Sequence, residues 1–136
     1  MKTILVVDDE GHVRSVVSRQ LTKKGYRVVT ASNGEEAIAL TKQEQFDLII
    51  TDYNMPGING LELAKALYFD VRHSSVPVLM LTARWSEIAA TARAMTNIRQ
   101  VMDKPFSMQA VSALVEKWIG PGDATTGGGS KSAPRQ

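Results

Sequence analysis

The sequence of 136 residues contains no cysteine and no long apolar run, and these two absences exclude several kinds of protein. A chain without cysteine forms no disulfides and no thiolate metal sites, which suits a reducing compartment. No stretch approaches the roughly 20 consecutive apolar residues of a membrane span, and the short strand-like segment after Met1 does not have the pattern of a signal peptide. We therefore expect a cytoplasmic protein without a membrane span.

An excess of charge of one sign is also missing. The chain has 16 basic and 14 acidic residues, a formal charge of +2, so its pI near 9.0 does not reflect a basic stripe. The basic residues of the first predicted helix are typical of a solvated helix face, and we expect no direct contact with nucleic acid. His12 and His73 have no partners at metal-ligand spacing, so we expect both on the surface.

The chain does contain five alternating strand and helix patterns. Strands are predicted over residues 3–7, 27–31 and 47–51, in the segment opened by Pro77, and near residues 100–102. Helices are predicted around Val13 to Leu21, over residues 35–44, and along the apolar sets Leu63/Ala64/Leu67/Val71, Trp85/Ile88/Ala92/Met95 and Met108/Val111/Leu114/Val115/Trp118. Such alternation with short connections predicts an α/β fold, a five-stranded parallel sheet with helices on both faces in a doubly wound, flavodoxin-like arrangement.

The composition changes at residue 120. From there the chain is rich in glycine, serine, threonine and proline and has too few apolar residues to form a core. We predict one domain over residues 1–119 and a flexible tail over residues 120–136.

Four of the apolar runs stop at polar residues: Asp8 and Asp9, then Asp52, Thr82 and Lys104. The carboxyl ends of parallel strands meet at one edge of a sheet, where ligands bind. Adjacent carboxylates repel each other unless a cation intervenes, and hard oxygen ligands favour Mg²⁺. The acid pair alone is equally typical of a helix start. The acid that ends the neighbouring strand favours a metal site.

Asp52 is the best candidate for a nucleophile in this set. A carboxylate that attacks a phosphoryl group meets charge repulsion, which a divalent cation offsets. The Thr82 hydroxyl is placed to donate to a phosphoryl oxygen, and Lys104 is placed to pair with a carboxylate or a phosphate as a point charge. Taken singly, the threonine is an ordinary strand residue and the lysine an ordinary surface residue.

The motifs that carry these groups resemble the receiver domain of bacterial two-component response regulators, in particular single-domain chemotaxis regulators. They are ILVVDDE at 4–10, DLIITDYNMP at 47–56, Gly60, PVLMLTA at 77–83 and KPF at 104–106. The resemblance covers residues 2–119. It implies that Asp52 is phosphorylated by a histidine kinase, a phosphotransfer protein or a small phosphodonor.

The same resemblance implies a role for each of the other site residues. Asp9, Asp52 and the main-chain carbonyl of Asn54 would bind Mg²⁺, with Asp8 acting mainly through coordinated water. Thr82 and Lys104 would bind the phosphoryl group and convert its presence into a change of shape. The peptide bond between Lys104 and Pro105 would be cis, an uncommon conformation.

One region departs from the family pattern. Val101 stands three positions before Lys104, where the family commonly carries an aromatic residue, and residues 97–100 replace a small-residue turn. Coupling between a moving hydroxyl and a moving ring is therefore in doubt, whereas phosphorylation is not. Trp85 either substitutes for the missing ring or heads the apolar stripe of the predicted fourth helix.

The sequence carries no recognisable output domain beside the predicted receiver, so we expect output through a phosphorylation-dependent contact with another protein. The expected surface combines the predicted fourth helix, fifth strand and fifth helix. Its candidate residues are Arg84, Trp85, Arg93, Met95, Arg99 and Val101. We expect no enzyme activity beyond the chain's own aspartyl phosphorylation and dephosphorylation.

Two alternatives stay open at this point. A haloacid-dehalogenase-like phosphatase uses similar groups, but it carries Asp-x-Asp on its first strand, whereas this chain has the adjacent pair Asp8 and Asp9 and no cap insertion. A degenerate receiver that acts only by binding is disfavoured by the intact set of acids.

Overall fold

A computed structural model describes residues 1–83, 88, 90–92, 94, 95 and 97–122 of the chain. Within them five strands form one parallel sheet in the order β2-β1-β3-β4-β5. The strands are β1 (Thr3–Val7), β2 (Arg27–Ala31), β3 (Leu48–Asp52), β4 (Val78–Thr82) and β5 (Ile98–Asp103). The predicted fold class is confirmed. The fifth strand is longer than predicted, because pairing with β4 extends it at both ends. Of the tail predicted over residues 120–136, residues 123–136 lie outside the described residues.

Helices connect the strands and lie on both faces of the sheet. They are α1 (Gly11–Lys23), α2 (Gly34–Gln43), α3 (Gly60–Tyr68) and α4 (Met108–Ile119), and residues 88 and 90–92, between β4 and β5, are helical as well. Side chains of Asn33, Asn59 and Ser107 accept hydrogen bonds from the first turns of α2, α3 and α4, which sets where those helices begin. No helix in the described part of the chain is both long and apolar enough to cross a bilayer.

Alternating strand residues build one hydrophobic core on each face of the sheet. On β1, Leu5 and Val7 belong to the core that also contains α2, α3 and the helical residues 88 and 92, whereas Ile4 and Val6 belong to the core shared with α1 and α4. The inner strands are buried on both faces, and therefore they read as continuous apolar runs. The polar residues predicted to form the site therefore lie at the carboxyl ends of the strands, where the apolar runs stop.

The predicted surface position of His73 is wrong. Its side chain is fully buried, Nε2 accepts a hydrogen bond from the Phe46 N–H at 3.2 Å, and Nδ1 donates to Asp70 Oδ2 at 2.8 Å. The turn after α3 folds under the start of β3, and this contact joins segments 27 residues apart. His12 is exposed, as predicted. Val71, predicted on the apolar face of the third helix, is 89% exposed because α3 has already ended at Tyr68.

Candidate functional site

Strand register brings the predicted site residues to one edge of the sheet. Val7 pairs with Thr51, Asp52 with Leu81, and Thr82 with Asp103, so the strands end at nearly the same level. Asp8 and Lys104 follow directly on β1 and β5, and the Lys104 N–H donates to the Thr82 carbonyl at 2.9 Å. The acids, the hydroxyl-bearing residue and the lysine therefore converge as predicted. The Lys104–Pro105 peptide bond is cis, which confirms that expectation.

The loop after β3 packs closely against the backbone of Asp52. The Gly60 N–H donates to the Tyr53 carbonyl at 2.8 Å, and a Cβ atom at position 60 would lie only 2.5 Å from the Asp52 carbonyl oxygen. Any side chain there would push the loop away from the strand end. Gly60 thus keeps α3 and the site-bearing end of β3 in contact.

Lys104 lies at the centre of the acidic cluster. Its Nζ is 3.1 Å from Asp8 Oδ2, 3.3 Å from Asp52 Oδ1 and 3.5 Å from Glu10 Oε1. Asp8 and Asp52 are almost fully buried, whereas Glu10 is exposed. One ammonium group is therefore shared among carboxylates from two other strand ends, a charge-assisted arrangement that is stronger than neutral hydrogen bonding.

The close packing of Asp8, Asp52 and Lys104 shifts the pKa values of all three groups. Burial raises the pKa of Asp52 to about 6, the Asp8 carboxylate adds to the rise, and Lys104 and the Asn54 N–H oppose it. Burial also raises the pKa of Asp8, although the Glu10 N–H and Lys104 stabilise its carboxylate. Burial acts to lower the pKa of Lys104, but the Asp52 and Asp8 carboxylates outweigh it and hold that pKa above its ordinary value. With its pKa at about 6, Asp52 is mostly ionised at neutral pH and pairs with the Lys104 ammonium.

The donor set suits a hard divalent cation. One carboxylate oxygen from each of Asp8, Asp9 and Asp52 lies within 4.8 Å of the others, and Asp9 is exposed. Mg²⁺ prefers oxygen ligands and keeps several waters, so a half-open site with few protein ligands fits it. Asn54 lies in the loop after β3, with its N–H directed to the Asp52 carboxylate. The geometry is compatible with the predicted ligand set.

Sequence reasoning missed two residues that contact this cluster. Arg14, the fourth residue of α1, donates from Nη1 to the Asp8 carbonyl oxygen at 2.6 Å. Glu10 lies beside Lys104, as described above. The sequence did contain a signal for Glu10: three consecutive acids at positions 8–10 directly follow a strand, and the third lies next to the two predicted site residues. No comparable signal pointed to Arg14.

The expected output surface is only partly within the described residues. Arg84, Trp85 and Arg93 lie outside them. Met95 is half-buried, and Arg99 is exposed with its guanidinium carbon 5.9 Å from the ring centre of Trp118. Val101 is half-buried, pairs with Met80 on β4 and packs against the core that contains α2 and α3. A small side chain thus occupies the position where the family commonly carries a ring.

Known proteins match the chain in sequence and in fold. Residues 4–116 match the response regulator receiver domain family. A chemotaxis protein CheY homolog of Campylobacter jejuni is 33% identical over 121 residues, which are 88% of this chain and 93% of that protein. The phosphate regulon transcriptional regulatory protein PhoB of Pseudomonas aeruginosa is 34% identical over 126 residues, but the chain spans only 55% of its length.

A solved structure supports the same assignment. The response regulator protein TrrA of Thermotoga maritima, crystallised with Mg²⁺ and BeF, superimposes with a TM-score of 0.77 at 34% identity and covers 88% of this chain and 100% of its own. The chain belongs to the response regulator receiver domain family. It is a receiver of the kind that phosphorylation controls in two-component signalling, and the phosphatase alternative has no support.

Proposed function

We propose that the chain is phosphorylated on Asp52 in a Mg²⁺-dependent reaction and acts as a phosphorylation-controlled protein-interaction switch. The observation that carries the proposal is the position of Asp52, which is 5% exposed, next to the buried Asp8, and 3.3 Å from Lys104. A buried carboxylate with a carboxylate neighbour and a single shared cation is costly to maintain, and such groups concentrate at functional sites.

The residues divide the phosphoryl-transfer step among them. An Asp52 carboxylate oxygen attacks phosphorus, the bond from phosphorus to the donor breaks, and the leaving group departs with the electron pair. With a pKa of about 6, Asp52 is ionised at neutral pH and is available as a nucleophile. Lys104 holds the acceptor in place and then pairs with a phosphoryl oxygen. Thr82, buried at the end of β4, donates its hydroxyl to another.

Asp9, Asp52 and the Asn54 carbonyl would hold the metal ion, and Asp8 would act through coordinated water. When bound, Mg²⁺ supplies neutralisation of the negative charge that develops on the transferred group. The chain's own contribution is to collect three carboxylates on the ends of two adjacent strands, so that their mutual repulsion is relieved by a cation.

A sensor histidine kinase or a phosphotransfer protein supplies the phosphoryl group, and a downstream protein reads the result. The reading surface includes Arg99 on β5, which is exposed, together with the half-buried Met95 and Val101. Since Val101 offers no ring, the change in population between the two states is smaller than in receivers with an aromatic residue there. The role of Trp85, the flexible tail and the cytoplasmic location stay predictions.

Intact mass after incubation with acetyl phosphate and Mg²⁺ tests the proposal. The parent should gain about 80 Da, the mass of one phosphoryl group, and Asp52→Asn should gain nothing under the same conditions. Thermal unfolding of both proteins shows whether the variant is folded. Equal labelling of the variant would place the phosphoryl group elsewhere. An unlabelled parent would favour a receiver that acts only by binding, and sustained turnover of phosphoesters would favour a phosphatase.

A further inference from the structure

The side chain of Glu10 does not cap the helix that begins beside it. Glu10 is the N-cap residue of α1, and side chains at N-caps commonly accept hydrogen bonds from the first turn of the helix. The Glu10 side chain makes no such bond. Its carboxylate extends instead toward the site, where Oε1 lies 3.5 Å from Lys104 Nζ.

This contact completes a set of three carboxylates around Lys104. An ammonium group has three N–H donors, and Asp8, Asp52 and Glu10 provide one nearby acceptor for each of them. A phosphoryl group on Asp52 would need at least one of those donors. The Asp8 carboxylate is buried, and among the described residues Lys104 is its ion-pair partner, whereas Glu10 has a side chain 63% exposed and can turn to water. Glu10 is therefore the acceptor that yields.

Glu10 also changes the charge that an incoming donor meets. The four carboxylates of Asp8, Asp9, Asp52 and Glu10 together with Lys104 carry a formal charge of −3, and without Glu10 the same set would carry −2. Arg14, whose guanidinium binds the Asp8 carbonyl, makes either sum one unit less negative. Because Glu10 is the exposed partner of Lys104, its charge faces the solvent from which the donor arrives. Like charge at that position opposes the approach of an anion.

We propose that Glu10 is a positioning residue that competes with the phosphoryl group for Lys104 and disfavours doubly charged phosphodonors. The inference rests on the proposed phosphorylation of Asp52. With acetyl phosphate, the bond from Asp52 oxygen to phosphorus forms as the bond from phosphorus to the acetate oxygen breaks, and acetate leaves with the electron pair. Lys104 keeps its protons and exchanges the Glu10 carboxylate for a phosphoryl oxygen.

The test compares Glu10→Gln with Glu116→Gln, which removes the same charge from an exposed position on α4. Phosphorylation rates are measured with Mg²⁺ as a function of donor concentration, with doubly charged acetyl phosphate and with singly charged phosphoramidate. We expect Glu10→Gln to increase the rate at low acetyl phosphate by about two- to five-fold, mainly through a lower half-saturating concentration. The gain should be smaller with phosphoramidate and should shrink as salt is raised. Glu116→Gln should match the parent.

A second measurement needs neither donor nor metal. In the metal-free protein, the NMR signals of the Lys104 side chain next to Nζ should shift in Glu10→Gln and stay in place in Glu116→Gln. Identical kinetics of the two variants with both donors would overturn the role of Glu10 while leaving phosphorylation intact. A parent that is not labelled at all would overturn phosphorylation of Asp52, and this inference with it.

Discussion

The two ends of β3 carry two buried polar clusters that are built on opposite principles. At the amino end, His73 contacts the Phe46 N–H and the Asp70 carboxylate, and each of its ring nitrogens has one partner of the correct kind. At the carboxyl end, Asp52 lies close to Asp8, and Lys104 is shared between them. The first cluster is balanced, and the second holds more negative charge than its cation can neutralise.

The pKa values of the aspartates in the two clusters are shifted in opposite directions. The hydrogen bond from His73, together with the Arg72 N–H, holds the pKa of Asp70 below its ordinary value. Burial and the neighbouring Asp8 carboxylate raise the pKa of Asp52 to about 6. A buried polar group with all its partners supports the fold, whereas carboxylates with strongly raised pKa values concentrate at functional sites. The difference separates a structural histidine from the aspartate that we propose is phosphorylated, within one strand length.

The largest effect should come from breaking the balanced cluster. We expect His73→Ala to lower the free energy of unfolding by roughly 3 kcal/mol, because it leaves the buried Phe46 N–H without an acceptor and creates a cavity. Phosphorylation of Asp52 should continue in whatever fraction stays folded. Urea denaturation measures the loss, and His12→Ala, at the exposed histidine, is the control that should change little. Equal stability of the two variants would contradict the structural role of His73.

Removing one negative charge from the unbalanced cluster, at Asp52, should raise the free energy of unfolding. The pKa of Asp52 rises from its ordinary 3.8 to about 6 on folding, so its contribution to stability is intact below 3.8 and is lost as the pH rises through about 6. In metal-free buffer at about pH 7.5, Asp52→Asn should therefore be more stable than the parent by about 2 kcal/mol, and the gain should vanish near pH 4.

Asp70→Asn is the matched control for that comparison. Since the pKa of Asp70 is lowered, its carboxylate stabilises the fold above its ordinary pKa, and that stability is lost as the pH falls through the lowered value. The variant should be less stable than the parent at neutral pH. Urea denaturation at the two pH values gives both differences, and a stability gain of Asp52→Asn that is the same at both would show that its charge is not responsible.

A smaller effect should come from neutralising the acidic cluster with metal. At Mg²⁺ concentrations of about ten times the dissociation constant, the parent should gain about 1.4 kcal/mol in the free energy of unfolding. Asp9→Ala should gain much less because it removes the exposed carboxylate of the cluster that we propose binds the ion. His73→Ala should gain as much as the parent, since its defect lies at the other end of the strand. A full gain in Asp9→Ala would place the ion elsewhere.

Local patterns in the sequence predicted most of the fold and the identity of the site residues. β1 and β2 have the predicted bounds, and β3 is shifted by one residue. β1 and β3 were predictable because continuous apolar runs mark strands buried on both faces, and the half-exposed edge strand β2 because its β-branched residues lie between turn signals. The site acids were predictable because each directly ends such a run. His73 and Val71 were predicted wrongly for one reason: the position at which α3 ends decides which side of the turn is buried, and no periodicity encodes it.

By itself, the sequence determined the parallel α/β class, the convergence of Asp8, Asp9, Asp52, Thr82 and Lys104 at one edge, and the family to which they point. Only the tertiary structure decided how these groups share charge. Lys104 meets Asp8 across 96 residues of sequence, and the raised pKa of Asp52 comes from burial that exists only after both faces of the sheet are covered. Strand periodicity is a local property, whereas desolvation and charge pairing depend on segments that are distant in the chain.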